Sequence, residues 1–331
     1  MSAVHSNISI FVPHIGCPNK CSFCNQRYIT GVCKAPRAVD VDEAVRLAMT
    51  SKNYNPETTE IAFFGGSFTA INRVYMTGLL DAAYEYVKKG LVKGIRVSTR
   101  PDAVDEEILE ILKSRGVTAI ELGAQSLVAR VLKMNNRGHT AQDVVNASKL
   151  IKDYGFELGL QMMTGLYCDS DEGALKTTKK VIDIKPDRVR IYPTIVLKDT
   201  DLGALYDDGK YKPQTLNEAI ELASKLYTMF TENGIKVIRL GLHSIEEKAY
   251  LSGPWHPAFS ELCQSRIMLN NAIRQLNQKG RYIIYVGKSD VSKMIGQKRS
   301  NIVYLESHGF YCKVKSKEGL GNLELEIERE V

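Results

Sequence analysis

Seven short apolar runs, "ISIFVP", "EIAFFGG", "GIRVST", "TAIELGA", "ELGLQMM", "RVRIYP" and "KVIRLGL", alternate with longer segments of helical period between residues 8 and 242. Runs spaced in this way pair parallel to one another, because a parallel neighbour is reached only through a crossover and the usual crossover is a helix. The fold class is α/β, either an open doubly wound sheet or a barrel, and both place their chemistry at the carboxyl ends of the strands. The polar groups of "FFGGS", "VSTRPD", "ELGAQS", "QMMTG" and "RIYPT" fall at those ends, which suits one cavity shared at the top of a barrel. Several intervening segments, such as "DEEILEILKSRG" and "TLNEAIELASKLYTMFTENG", open on a capping Asp or Thr and close on a Gly.

The pattern changes after Gly253. "GPWHPAFSELCQSRIMLNNAIRQLNQKG" reads as a turn and a long helix, and "RYIIYVG", "VSKMIGQKRSNIVYLESHG", "FYCKVK" and "NLELEIER" read as strand, helix, strand, strand. The expected organisation is a barrel over residues 1–253 with a small α+β extension over residues 254–331.

With 331 residues, 44% hydrophobic and 25% charged, the chain has the composition of a globular protein. "MSAVHSNISIF" lacks a charged segment followed by an apolar one, and no later run approaches the roughly 18 apolar residues of a membrane span, so a cytoplasmic protein without membrane contact is expected. The net charge of +6 permits an anionic partner such as RNA without requiring one. Seven cysteines in a chain without secretory signals read as reduced thiols rather than as a disulfide framework.

Three of those cysteines, Cys17, Cys21 and Cys24, crowd into "HIGCPNKCSFCNQ". A closed structural zinc site wants four ligands, and Cys33 or His14 would have to supply the fourth. Thiolates equally suit an iron–sulfur cluster, which three of them would hold with one iron left open. Spacing by itself leaves both metals open.

The CxxxCxxC arrangement, with Phe23 just before its third cysteine and placed after the first strand, resembles the signature of the radical S-adenosylmethionine (SAM) superfamily. The resemblance implies a 4Fe-4S cluster on Cys17, Cys21 and Cys24, and SAM bound at the open iron. It further implies a 5'-deoxyadenosyl radical that takes hydrogen from the substrate, with a flavodoxin or ferredoxin-type electron donor. Gly65, Gly66 and Ser67 resemble the glycine-rich strand end that meets the SAM amino group, although the same three residues also read as a plain turn. Phe23, Ser98, Arg100, Glu121, Gln125 and Gln161 complete the expected cofactor contacts, since buried strand-end amides need partners.

The segments "FVPHIGCPNKCSFCNQRYITG", "FFGGSFT", "STRPD", "IELGAQSL", "RIYPTIVLKDTDL" and "GPWHPAFSEL" resemble the radical-SAM core of the Elongator catalytic subunit and its short bacterial relatives, from Phe11 to Leu262. That family implies a partial (β/α)6 barrel with a C-terminal extension, acting on tRNA or its bases. Three departures are expected to matter: too little length for an acetyltransferase domain, no N-terminal basic extension, and "GLYCD", with Tyr167 and Cys168, where the family reads "GLPG". They turn the expectation toward a small-molecule substrate, a modified 7-deazaguanine base. Among short relatives this implies queuine lyase, which releases 7-aminomethyl-7-deazaguanine for tRNA queuosine salvage. The alternatives are a tRNA wobble-uridine modification enzyme without its own acetyltransferase, and an RNA-binding module with a structural metal.

Under the lyase reading Glu121 or a C-terminal acidic residue would take the edge of the base, Tyr192, Trp255 or His256 would stack on it or hold its diol, His14 would lie beside it, and Cys168 would return a hydrogen atom; Glu121, Tyr192 and Cys168 form the expected catalytic set. Plainer readings stand beside these: Tyr192 as core, Trp255 as an anchor for the tail, Cys168 as a loop thiol, and Arg100 paired with Glu121. The tail segment "MIGQKRSNIVYL" resembles the GxxG loop of a KH RNA-binding domain with Arg299 at the second glycine, and reads equally as a basic helix start.

Overall fold

The structure is a computed structural model that describes residues 5–330 apart from 14–16, 18–19, 27, 29–30, 32–33 and 243–244. His14 and Cys33 lie outside the described residues.

All seven apolar runs are strands of one sheet: β1 (Ser6–Val12), β2 (Thr59–Gly65), β3 (Gly94–Thr99), β4 (Val117–Gln125), β5 (Glu157–Thr164), β6 (Arg188–Pro193) and, after a two-residue β7 (Val196–Leu197), β8 (Lys236–Leu240). They pair parallel in the order β1-β2-β3-β4-β5-β6-β8. A doubly wound sheet reverses its strand order at a switch point, and here the order runs on without reversal, as barrel winding requires. Among the described residues β1 and β8 do not pair, so the curled sheet is a partial barrel.

Helices α1 (Ala38–Met49), α2 (Arg73–Lys88), α3 (Glu106–Ser114), α5 (Ala141–Asp153), α6 (Asp171–Ile184) and α8 (Leu216–Glu232) follow the expected segments. Their buried positions recur at helical spacing, as with Met76, Leu79, Leu80 and Ala83 of α2. Thr140 and Thr215 close capping boxes with Asp143 and Glu218. The short α4 (Ala129–Met134) and α7 (Asp201–Asp207), and the pairing of β7 with β9 (Tyr250–Ser252), carry too few residues for periodicity to reveal.

The barrel interior holds a layer of charge. Arg96, wholly buried, donates to Glu60 Oε2 at 2.7 and 3.0 Å and to Glu157 at 2.8 Å, and lies 3.5 Å from Glu121. Gly159 makes room for Glu121, since a Cβ there would stand 2.8 Å from its Cγ. Burial by itself would raise the Glu60 carboxyl, but the His5 hydrogen bond and the Arg96 charge outweigh it and hold the pKa at about 2. The native state thus binds fewer protons than the unfolded chain between the ordinary value of 4.5 and about 2. Stability from this group is fully present above pH 4.5 and is lost as pH falls toward 2, by an amount on the order of 3 kcal/mol. Urea midpoints should therefore fall across this window, with a flatter acid limb in Glu60→Gln; parallel limbs would refute the assignment.

Helix α9 (Phe259–Gln275) serves two cores. Phe259 and Cys263 pack into the barrel, and Ile267, Met268, Leu269 and Ala272 pack under a three-stranded sheet of order β11-β10-β12. In it β10 (Gly280–Val286) runs parallel to β11 (Phe310–Ser316) and antiparallel to β12 (Leu325–Arg329). Where one helix was expected between β10 and β11 there are two, α10 (Val291–Ile295) and α11 (Ser300–Ser307). Gly296 breaks the run at φ +78, where a Cβ would meet Ser300 Oγ at 2.5 Å, and Lys298 and Arg299 follow in the left-handed region at a cost of about 1 kcal/mol each. Buried Asn301 locks the joint by donating to the carbonyls of Ser265, Lys293 and Met294. Among the described residues no helix is long and apolar enough to cross a membrane.

Candidate active site at the strand ends

The cysteine loop leaves β1 and is tied to the barrel by contacts remote in sequence. The Ser22 N–H and hydroxyl both donate to Asn135, and Ser22 O accepts from the Leu202 N–H at 2.8 Å. Asn135, wholly buried, gives its amide to Val131 O and Tyr167 O. Arg137 Nη1 lies 2.9 Å from Cys21 Sγ while its Nη2 donates to Gly123 O at the end of β4. Burial raises the Cys17 pKa, against a backbone hydrogen bond from Ser67. Cys24 is pushed up to about 12 by burial and then by Cys21 and Cys17, with Arg137 opposing. Burial, with the neighbouring sulfurs, therefore disfavours the thiolate forms of Cys17 and Cys24 until a metal takes the place of the protons. Among the described residues no three His, Cys, Asp or Glu side chains are grouped to hold a single metal ion.

Beside the loop a cavity of about 240 Å³ opens at the carboxyl ends of the six strands β1 to β6. Its lining includes Phe23, Cys24 and Gln26 of the cysteine loop, Phe11, Phe64 and Gly65 of β1 and β2, and Ser98, Gln125, Gln161, Met163, Arg190 and Tyr192 of β3 to β6. Gly65 sits at φ +109, and a Cβ there would stand 2.7 Å from Val12 O, so only glycine fits this strand end. Gln125 is also at positive φ, +61, and its Oε1 is buried with no partner among the described residues. Strain and an unpaired acceptor at one residue mark a position shaped by a ligand rather than by packing.

The geometry redistributes the expected roles. Glu121 does not line the cavity: it is 1% exposed, holds Arg190 through two contacts of 2.7 and 2.8 Å, and accepts from Gln161 at 2.9 Å. A carboxylate this deep must be paired, so the cavity receives Arg190 instead, 5.3 Å above the Phe64 ring. Burial would lower the Arg190 pKa, but Glu121 keeps it above its ordinary value. Arg100 pairs not with Glu121 but with Asp102, at 2.9 and 2.8 Å, and donates to Arg137 O. Ser67 is buried, its hydroxyl bonded to Thr99 at 2.8 Å, and its contribution to the site is the backbone contact to Cys17; Gly66 spends its N–H on Val12 O.

Tyr192 lines the cavity, and burial, partly offset by Arg190, keeps it a phenol. Cys168 lies away from the cavity, at φ +60 in a separate surface recess with Lys210 and Tyr211. Trp255 stands one layer behind the wall, 6.2 Å from Tyr250 in a cluster with Ile195 and Leu197, and the His256 ring accepts from the Ala258 N–H. The sequence reading missed Phe11, Phe64, Asn135, Arg137 and Arg190; a usable signal was the polar "NNRGH" in the connection between β4 and α5, directly after α4.

A curled parallel sheet with a three-cysteine loop after its first strand and a ligand cavity at its strand ends defines a barrel enzyme that works through a bound cofactor. The profile of the radical SAM superfamily matches residues 11–181, and that of the radical SAM C-terminal domain matches residues 186–268. The chain belongs to the radical SAM superfamily. It is 32% identical over 185 residues, 50% of its length, to a tRNA uridine(34) acetyltransferase of Methanocaldococcus infernus, and 28% identical over 193 residues, 52% of its length, to Elongator complex protein 3 of Saccharomyces cerevisiae. It spans 35% of each of those relatives. A solved archaeal Elp3 of Methanocaldococcus infernus shares the fold, with a TM-score of 0.67 at 21% identity over 85% of this chain and 66% of that one.

The protein is a radical SAM enzyme whose cofactors are a 4Fe-4S cluster and SAM. The residues present fit both. Three thiols supply the donor chemistry of a cluster, and the unpaired Gln125 acceptor and the glycine-only strand end at Gly65 open onto the same cavity as Cys24.

Proposed function

We propose that the protein modifies a nucleobase, and that this base is a uridine of tRNA. The observation that carries the first part is the lining of the cavity: beside the residues assigned to SAM, Phe11, Phe23 and Phe64 offer faces on which a planar base can stack, and amides and one guanidinium can hold its edge. An RNA base would enter extruded from its stack. The uridine assignment is supported by the tRNA uridine(34) acetyltransferases among the relatives.

Cys17, Cys21 and Cys24 would hold the cluster, with Gly65 and Gln125 against SAM. When bound, these cofactors supply a 5'-deoxyadenosyl radical that takes a hydrogen atom from the substrate. The chain's own residues then bind, orient and exclude water. Phe64 and Tyr192 offer faces for stacking, Arg190 offers a fixed cation held by Glu121, and Gln161 is oriented by the same carboxylate.

A second reading, queuine lyase acting on the free 7-deazaguanine base, is favoured by one observation. A guanine-like edge is rich in N–H donors, and on this reading Gln125 Oε1, a buried acceptor without a partner among the described residues, would face the base rather than SAM. One experiment separates the two. Reduced, reconstituted enzyme with SAM is given either tRNA lacking wobble modification or queuine. 5'-Deoxyadenosine above background with tRNA alone supports the first reading, turnover with queuine and release of 7-aminomethyl-7-deazaguanine supports the second, and no stimulation by either rejects both.

A further inference from the structure

We infer that Arg137 is a positioning residue for the cluster: a buried guanidinium that donates to the cluster-binding sulfur of Cys21 and makes the cluster easier to reduce. The inference rests on Cys21 being a cluster ligand.

Arg137 is 6% exposed, and among the described residues no carboxylate pairs with it. Its neighbour Arg100, by contrast, is satisfied by Asp102. An isolated buried cation is costly, so its counter-charge must come from something near it. The candidates within reach are thiols. Nη1 stands 2.9 Å from Cys21 Sγ. Nη2 is anchored on Gly123 O, and the Arg137 carbonyl accepts from Arg100, so the guanidinium and the backbone that carries it are each held. Nε is buried without a partner among the described residues, leaving one further donor on the same cation.

Once the cluster is bound, these sulfurs are thiolates, and the contact becomes a charge-assisted hydrogen bond to a metal ligand. Reduction adds one electron from the external donor and no proton, so negative charge grows beside a fixed positive one. Hydrogen bonds to the sulfurs and local charge are among the factors that set iron–sulfur potentials. Arg137 should therefore raise the potential and ease electron entry.

The test uses the full chain, reconstituted anaerobically, as parent, Arg137→Met, Arg137→Gln and Arg137→Lys, with iron content, the reduced-cluster EPR spectrum and a dye-mediated redox titration as readouts. The neutral variants should keep their iron, shift their EPR spectrum, and titrate at a potential lower by about 59 mV or more, a tenfold change in the reduced-to-oxidised ratio for a one-electron couple. Lys should recover part of the shift. A Met or Gln variant with full iron and the parent's potential overturns the inference. Should both neutral variants lose the cluster, iron restored by Lys supports the charge role, whereas failure of Lys as well overturns it in favour of packing. Failure of the parent itself to bind iron would instead refute the cluster assignment.

Discussion

Cys24→Ser is expected to fold as the parent does and yet to leave anaerobic reconstitution nearly colourless, with iron far below the roughly four atoms of one cluster. The loop that carries Cys24 is held by Ser22, through its bonds to Asn135 and Leu202, and by the turn in which the Cys24 N–H donates to Cys21 O at 3.0 Å. None of these contacts uses the thiol. Serine therefore preserves the loop while replacing a soft thiolate ligand by a hydroxyl that stays protonated at neutral pH. Circular dichroism should be unchanged, iron content and visible absorbance should collapse, and 5'-deoxyadenosine formation should fall to background. Full iron content in this variant would remove Cys24 from the ligand set.

Arg96→Met should cost on the order of 3–5 kcal/mol at neutral pH, the penalty for stripping the partner from buried charge. Arg96 is wholly buried among Glu60, Glu121 and Glu157. Each acid keeps another partner: His5 for Glu60, Arg190 for Glu121 and Arg188 for Glu157. Those contacts lie at the margins of the layer, whereas Arg96 joins all three carboxylates, so its loss leaves net negative charge in the interior. The deficit should shrink as pH is lowered and the carboxyls take up protons, a trend opposite to that of the parent. Urea denaturation at several pH values measures both. A loss under about 1 kcal/mol, independent of pH, would show that the side partners suffice. Because Glu121 also positions Arg190, the variant should bind substrate less well even where it remains folded.

The pH window argued for Glu60 and the deficit expected of Arg96→Met arise from one layer that was invisible in the sequence. "EIAFF", "GIRVS", "AIELG" and "FELGL" read simply as apolar strands with a charge in each, and of the four charges Glu121 alone reads as a ligand contact. Strand register brings them together: Arg96 lies opposite Ala62 and Ala119, two residues along from the paired Ser98 and Glu121 and so on the same face of the sheet. Glu121 thereby becomes a support for Arg190 rather than a contact to the base. Cys168 and the "GLYCD" departure followed the same course. The loop lies close to a strand end in sequence but turns at positive φ into a different recess.

By itself the sequence determined the parallel α/β sheet, the cysteine loop after its first strand and the polar character of the strand ends. These are local properties: strand and helix periods, ligand spacing within eight positions and glycine at an end where a Cβ cannot fit. Only the tertiary structure decided which polar groups face the cavity and which are consumed beneath it. Ser22 meets Asn135 across 113 positions, Cys21 meets Arg137 across 116, and Arg190 meets Glu121 across 69. A charge removed from water must find a counter-charge, and where that partner lies is set by the winding of the sheet rather than by neighbours in the chain.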